Sequence, residues 1–176
     1  LVRTFKIWIG ALPLASTQLS NIMKDEDNIH INWMKVALEE ARQALKEDEI
    51  PVGAVLIKDN KLVLREHNRT RQYCNPLAHA EKMIIDRILS SEIKYLYDYT
   101  LYVVLEPCVM CAGMMILSRL GTLVYGAYDP KAGAVGSVYN VLADKSFNHH
   151  PKVIRGILEE DCSALLKVFF QNKRNK

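Results

Sequence analysis

Stretches typical of buried β-strands alternate along this chain with stretches typical of helices, and this alternation constrains the fold more than any other feature. Residues 99–106, YTLYVVLE, are rich in β-branched and aromatic side chains and predict a central strand. Residues 50–57 and 62–66 predict two antiparallel strands joined by a KDNK hairpin turn. Further strands are expected at 121–128 and 151–157. The pattern predicts an α/β fold with three α/β/α layers, in which helices flank a central mixed five-stranded sheet.

The helices of this fold are expected between and after the strands. Apolar residues recur at helical spacing over 34–46, which indicates an amphipathic helix. The next two helices are predicted over 79–90 and 107–120. The second of them has Pro107 in its first turn, where the missing N–H of proline costs no hydrogen bond. A last helix is expected over 159–171, followed by a basic tail.

Length and composition indicate one globular domain. The chain has 176 residues, of which 49% are hydrophobic and 24% charged, enough for a sizeable core. We assign residues 23–176 to this domain and interpret residues 1–22 as an N-terminal extension, an over-extended or alternative start. Their apolar run resembles a weak signal-peptide core, but Pro13 interrupts it and it is too short to span a bilayer. The net charge of +3 permits nucleic-acid binding without requiring it.

The cysteines indicate the compartment. The chain has four of them, too few for a disulfide scaffold in a chain of this length. We therefore expect a cytoplasmic protein that is not associated with a membrane.

Two short motifs contain the residue types of a metal site. His79 and Glu81 form a His-x-Glu pair at the start of one predicted helix, and Cys108 and Cys111 directly follow a proline at the start of another. A Cys-x-x-Cys pair alone is equally compatible with a disulfide, a redox-active thiol pair or apolar packing. A helix N-terminus favours thiolate over thiol because of the helix dipole. The two motifs together favour a metal site over the alternatives.

One imidazole and two thiolates are a donor set that suits Zn²⁺. We predict His79, Cys108 and Cys111 as ligands of one zinc ion per subunit. Three protein ligands leave the fourth tetrahedral position to water, as in catalytic rather than structural zinc sites. Because two thiolates offset the metal charge, such a water needs a base, and Glu81 is well placed to take its proton.

The motifs resemble those of the cytidine deaminase-like zinc nucleobase deaminases, whose signature is His-x-Glu followed by Pro-Cys-x-x-Cys. Within this superfamily the chain is most similar to bacterial tRNA-specific adenosine deaminases, over about 32–174. The similarity lies in the stretches IPVGAVL, HNRT, AHAE, TLYVVLEPCVMCAGMMI, YGAYDPKAGAVGS, NHH and GILEEDCSALLKVFF. The zinc motifs identify only the superfamily, whereas LEPCVMCAG, GAYDPKAGAVGS and the two phenylalanines of the last helix point to the tRNA branch.

The resemblance implies hydrolytic deamination of adenosine to inosine at the wobble position of the tRNA anticodon, on a flipped adenine and with Glu81 as the proton carrier. It also implies an anticodon stem-loop as partner and a homodimer. The base contacts that it implies are Asn68, the backbone N–H of Ala80, Pro51, Val52 and a carbonyl near Pro107. The RNA-facing positions that it implies are Asp129, Lys131, Asn148, Phe170, Lys173 and Arg174.

Several of these positions also fit structural roles. Asn68 suits a turn at the end of the hairpin, Phe169 continues the apolar stripe of the last helix, and the terminal charges suit a solvated tail. Two other functions stay open beside the tRNA assignment. One is a deaminase of free guanine, cytosine or a nucleoside on the same fold. The other is a non-catalytic, zinc-stabilised RNA-binding subunit, which the presence of Glu81 disfavours.

Overall fold

The computed structural model describes the backbone of residues 16–174 and the side chains of residues 28–174. The elements in chain order are α1 (Ser16–Lys46), β1 (Gly53–Lys58), β2 (Lys61–His67), α2 (Ala80–Leu89), β3 (Tyr99–Leu105), α3 (Val109–Leu117), β4 (Thr122–Ala127), a 3₁₀ turn (Val141–Ala143), β5 (Lys152–Arg155) and α4 (Glu159–Arg174). The predictions for residues 1–15 lie outside this range. Among the described helices, none combines the length and the apolar character needed to cross a membrane.

The five strands form one mixed sheet in the order β2-β1-β3-β4-β5. β1 is antiparallel to both β2 and β3, whereas β3, β4 and β5 are parallel. Helices α1 and α4 pack together on one face of the sheet, and α2 and α3 pack together on the other. The predicted three-layer α/β fold is therefore confirmed.

Helix α1 is much longer than its apolar periodicity predicted. It begins at Ser16 rather than near Met34, because no glycine or proline interrupts the chain up to Lys46. It ends where Asp48 adopts a left-handed backbone with φ 60° and the N–H of Glu49 bonds back to the Ala44 carbonyl at 2.9 Å. The prediction from periodicity alone was wrong because the polar run before the core-facing stripe has no apolar pattern.

The hairpin between β1 and β2 turns through Asp59 and Asn60, as the KDNK stretch predicted. Both residues have positive φ, 49° and 54°, a combination that suits the right-handed twist of the strands. The Trp33 indole in α1 donates a hydrogen bond to the Asn60 side chain at 2.8 Å. Beneath the same helix Gly53 has no room for a Cβ, which would clash with the backbone of α1.

The three parallel strands bring their carboxyl ends to one edge of the sheet, where α/β proteins place their sites. The segment after β3 leads into α3, and the segment after β4 forms the loop 128–140. Helix α3 begins at Val109, so Pro107 precedes the helix instead of lying in its first turn as predicted. This shift leaves Cys108 as the residue that caps α3.

Candidate metal centre and active site

The N-termini of α2 and α3 meet at this edge, and each is capped by a residue of the two sequence motifs. His79 precedes α2 and Cys108 precedes α3, both with extended backbone. Neither side chain makes a capping hydrogen bond to its own helix. Both side chains are therefore free to point past the helix ends, where two sets of backbone N–H groups favour negative charge.

The distances between the donor atoms fit one tetrahedral metal ion. His79 Nδ1 lies 3.6 Å from Cys108 Sγ and 3.6 Å from Cys111 Sγ. The three donor atoms all lie within 4.8 Å of one another. With zinc bonds of ~2.0 Å to nitrogen and ~2.3 Å to sulfur, a tetrahedral angle separates the two atoms by ~3.5 Å. Both cysteines are free thiols, so the structure contains no disulfide at this site.

The three donor side chains strongly shift one another's pKa values. Contact with Cys111, assisted by His79, lowers the pKa of the Cys108 thiol to about 3. Contact with the Cys108 thiolate, together with burial, raises the pKa of Cys111. Contact with Cys108 likewise raises the pKa of His79, with a smaller contribution in the same direction from the Pro76 backbone. A divalent cation would displace the protons that the three groups otherwise share.

Glu81 lies in the first turn of α2, two residues after His79, and only 4% of it is exposed. Burial raises the pKa of its carboxyl group, while the charge of His79 acts in the opposite direction. The side chain also contacts Cys111. A buried carboxyl group that touches the donor cluster and binds a proton more readily than usual suits proton transfer.

Asn68 follows β2 and is buried next to the start of α2. Its side-chain Oδ1 accepts a hydrogen bond from the Ala80 N–H at 2.9 Å, and its own N–H bonds the Val52 carbonyl at 3.0 Å. The resemblance implied that the Ala80 N–H contacts the base. In this structure that N–H donates to Asn68 instead. This bond leaves the Nδ2 group as the hydrogen-bond donor of the Asn68 side chain.

The other implied base contacts lie around the same place. Pro51 and Val52 are buried directly before β1. The Val52 carbonyl accepts the hydrogen bond of the Asn68 N–H, which keeps Val52 next to Asn68. The Pro107 carbonyl accepts a hydrogen bond from Ala134 at 2.9 Å, which uses one of its two lone pairs. These positions are compatible with the walls of a base pocket.

A family model for the cytidine and deoxycytidylate deaminase zinc-binding region matches residues 27–127, more than half of the chain. The chain belongs to this deaminase family. The tRNA-specific adenosine deaminase of Bacillus subtilis (strain 168) is 42% identical over 145 residues, which cover 82% of this chain and 90% of that protein. The resemblance to bacterial tRNA-specific adenosine deaminases is thus confirmed.

Two solved structures are similar to this chain at different levels of identity. A structure from work on A-to-I editing by tRNA:A34 deaminases at the wobble position of transfer RNA has a TM-score of 0.73 and 40% identity, covering 77% of this chain and 99% of that one. Guanine deaminase from Nitrosomonas europaea has a TM-score of 0.66 at 23% identity, covering 79% of this chain and 83% of that one. At that identity the second likeness shows the fold alone.

Two buried carboxylates of this deaminase were not predicted from the sequence. Glu106 accepts hydrogen bonds from the loop after β4, and Glu49 accepts them from the loop after β2. The buried ring of His67 bonds Glu40 and Glu47 of the α1 region, both at 3.1 Å. Glu49 and Glu106 are therefore buried carboxylates that each bind one of the two loops next to the donor cluster.

The loop positions that the resemblance assigns to RNA have structural partners of their own. The Asp129 carboxylate accepts bonds from the N–H groups of Lys131 and Ala132, at 2.9 Å and 3.2 Å, and so closes a turn. Lys131 itself is exposed. Asn148 is exposed and accepts a hydrogen bond from the Arg119 guanidinium.

The end of α4 divides its residues between the core and solvent. Phe169 is buried, as the apolar stripe indicated, whereas Phe170 is 49% exposed and contacts it edge to face. Lys173 forms an ion pair with Asp48, with Nζ 2.6 Å and 2.8 Å from the two oxygens. This pairing offsets the charge of Lys173, while Arg174 is exposed.

Proposed function

We propose that the protein is a zinc-dependent hydrolase that deaminates adenosine to inosine at the wobble position of a tRNA anticodon. The observation that carries the proposal is the buried Glu81 carboxyl group beside a nitrogen–sulfur–sulfur donor cluster with zinc-like spacing. The tRNA substrate is supported by the 42% identity to the Bacillus subtilis tRNA-specific adenosine deaminase.

His79, Cys108 and Cys111 are the residues that hold the zinc ion in this proposal. The Pro76 backbone, which acts on the pKa of the His79 ring, is the neighbour that we expect to orient the imidazole. When bound, the metal supplies Lewis-acid activation of a water molecule. The chain's own contribution is a rigid pair of helix ends that keeps the three donor atoms within reach of one ion.

Glu81 is the proposed proton carrier. It accepts a proton from the attacking water and delivers protons to the base, so that the amino group leaves as ammonia. A C6–O bond forms and the C6–N bond breaks, which turns adenine and water into hypoxanthine and ammonia. The raised pKa of Glu81 favours this role, because its carboxyl group holds a proton more readily than an exposed one.

The adenine is held by Asn68 through Nδ2, between the walls formed by Pro51 and Val52 and beside the Pro107 carbonyl. Because Asn68 Oδ1 is already bonded to Ala80, the orientation of its amide is fixed before a substrate arrives. A preorganised donor at this place binds a flipped base without first reorganising.

The RNA partner is an anticodon stem-loop. Its loop bases are unpaired, so flipping one of them costs less than extracting a base from a duplex. The contacts that we propose to the RNA are Asp129, Lys131, Asn148, Phe170, Lys173 and Arg174. Of the two terminal cations, the exposed Arg174 is better placed for a phosphate than the paired Lys173.

We also infer a homodimer and a cytoplasmic location. Helix α3 presents an apolar face next to the metal centre, with Leu117 77% exposed and Val109 60% exposed. Between them Gly113 has open space beyond its Cα. A second copy packed on this face would stand close to Cys111 and its site. The location follows from the tRNA substrate.

The test is an inosine assay on an anticodon stem-loop with adenosine at the wobble position, with zinc measured on the same sample. We expect inosine in that one position and one zinc ion per chain. Turnover of free guanine or cytidine without reaction on the stem-loop would replace the tRNA assignment by deamination of a free base or nucleoside. Zinc binding without turnover on any of these substrates would indicate a non-catalytic subunit.

A further inference from the structure

The Glu106 side chain is only 2% exposed, yet it is a carboxylate that faces four hydrogen-bond donors. Oε1 accepts from the N–H groups of Val135 and Ser137 at 2.9 Å and 3.0 Å. Oε2 accepts from the Asp129 N–H at 3.1 Å and from the Ser137 hydroxyl. All four donors belong to the loop 129–137, so one buried side chain accepts the hydrogen bonds of the donors that point into that loop.

The backbone next to Glu106 binds the same loop. The Pro107 carbonyl accepts a hydrogen bond from Ala134 at 2.9 Å, and Cys108 pairs with Gly133 in an isolated antiparallel bridge. Each of the residues 106–108 therefore makes at least one contact that holds the loop. Cys108 also provides one of the three donor atoms of the metal cluster. The segment 106–108 therefore contacts the loop and the metal centre at the same time.

Gly133 shows how closely the loop is fitted to the carboxylate. A Cβ at this position would lie 2.5 Å from Glu106 Oε2 and 2.6 Å from the Asp129 carbonyl oxygen. Neither neighbour can move far, because one is a buried, fully bonded carboxylate and the other is backbone. The loop thus approaches Glu106 as closely as only a glycine permits.

We propose that Glu106 is a positioning residue for the RNA substrate, because its carboxylate gives the loop 129–137 the shape that presents Asp129 and Lys131 beside the metal centre. The inference rests on the proposed function. Glu106 itself touches neither the base nor the metal cluster and acts through the loop. Two of the proposed RNA contacts therefore depend on a side chain that is buried.

Glu106→Gln tests the carboxylate with little change of size. The new amide group places an NH₂ where one oxygen now accepts two hydrogen bonds. Because this NH₂ is itself a donor, those two hydrogen bonds are lost. Glu39→Gln is the matched control, since Glu39 is exposed on α1 and its replacement removes the same charge. Glu49→Gln is a second control, because Glu49 is equally buried but binds Thr70 and Gln72 of the other loop.

The first measurement is hydrogen exchange of the zinc-loaded protein without RNA. In Glu106→Gln we expect exchange within 129–137 to rise by about tenfold or more, because local opening becomes easier when these bonds are lost. Glu39→Gln should exchange like the wild type, and Glu49→Gln should raise exchange around residues 70–72 instead. Unchanged exchange of 129–137 in Glu106→Gln, or an equal rise throughout the sheet, overturns the proposal.

The second measurement separates positioning from a general loss of structure. We expect KM for the stem-loop to rise about tenfold in Glu106→Gln, with kcat and zinc content within about threefold of the wild type. Ser137→Ala removes only one of the four donors and should shift KM in the same direction by less. It decides the question if Glu106→Gln does not fold. A wild type that makes no inosine overturns the proposed function, whereas an active wild type with unchanged KM in both variants overturns the role of Glu106 alone.

Discussion

His79 Nδ1 and Cys108 Sγ lie 3.6 Å apart although 29 positions separate the two residues in the chain. The contact joins the loop after β2 to the segment after β3, so the N-termini of helices α2 and α3 meet at these two donor atoms. A metal ion that binds both would bridge two elements of the fold. We therefore expect metal binding and folding stability to be coupled.

This coupling predicts the behaviour of Cys108→Ala. The variant should fall from one zinc ion per chain to a small fraction of that, because loss of even an outer-shell partner weakens metal binding by about 10–100-fold and Cys108 is proposed to bind the ion directly. Its thermal unfolding should occur at a lower temperature. Cys74→Ala, which removes an exposed cysteine, is the control and should keep both properties. Full zinc content in Cys108→Ala would exclude this residue as a ligand.

Glu81→Gln should separate chemistry from structure. The amide keeps the shape of the side chain but cannot carry a proton, so kcat for inosine formation should fall by about 10²–10⁴-fold. Zinc content should be retained. The free energy of unfolding should be equal or higher, because burial disfavours the charge of the carboxylate that is removed. Inosine formation at the wild-type rate would refute the proton-carrying role.

Asn68 makes a structural hydrogen bond to Ala80 and, in our proposal, a second one to the substrate, and two variants can separate these roles. Asn68→Asp retains an acceptor for the Ala80 N–H but loses the Nδ2 donor, so it should stay folded and lose substrate affinity. Asn68→Ala loses both groups and should in addition be less stable by about 1–3 kcal/mol, because a buried N–H is left unpaired. Chemical denaturation and KM for the stem-loop measure the two effects. Equal stability of the two variants would show that the bond to Ala80 contributes little.

The strands and helices near the site could be predicted because their signals are local. The β-branched run of β3 and the proline before Cys108 identify a strand followed by a helix without knowledge of the rest of the chain. The two metal motifs could also be recognised in the sequence, since the residues of each motif lie within three positions of one another. The full length of α1 could not be predicted, because the first half of this helix is polar and has no apolar periodicity.

The buried carboxylates could not be predicted in the same way. Glu49 ends a run of three acidic residues, which is typical of a solvated surface, and yet it is completely buried. Its partners are backbone N–H groups of a loop more than twenty positions away, and Glu106 has the same kind of partner. Such contacts depend on how the loops fold back on the sheet. Similarly, the use of the Ala80 N–H by Asn68 became apparent only from the structure.

The two terminal cations should contribute unequally to RNA binding. Lys173 is paired with Asp48, whereas Arg174 is exposed. Arg174→Ala should weaken stem-loop binding and reduce the slope of log Kd against log salt by about 1, as expected for one lost phosphate contact. Lys173→Ala should change the slope less. A larger slope change for Lys173→Ala than for Arg174→Ala would show that the ion pair with Asp48 opens when RNA binds.

The exposed face of α3 is the surface on which we propose that two chains form a dimer. Leu117 is 77% exposed at the end of a helix whose other side is buried, so a charged side chain there would be desolvated without a partner in a dimer. We expect the wild type to have twice the 20.1 kDa mass of the chain in light scattering, and Leu117→Lys to have the mass of one chain. Leu62→Lys, on the edge strand β2, is the matched control and should remain a dimer. A dimeric Leu117→Lys, or a monomeric Leu62→Lys, would place the interface elsewhere. Since the face adjoins Cys111, the monomeric variant should also lose inosine formation while retaining zinc.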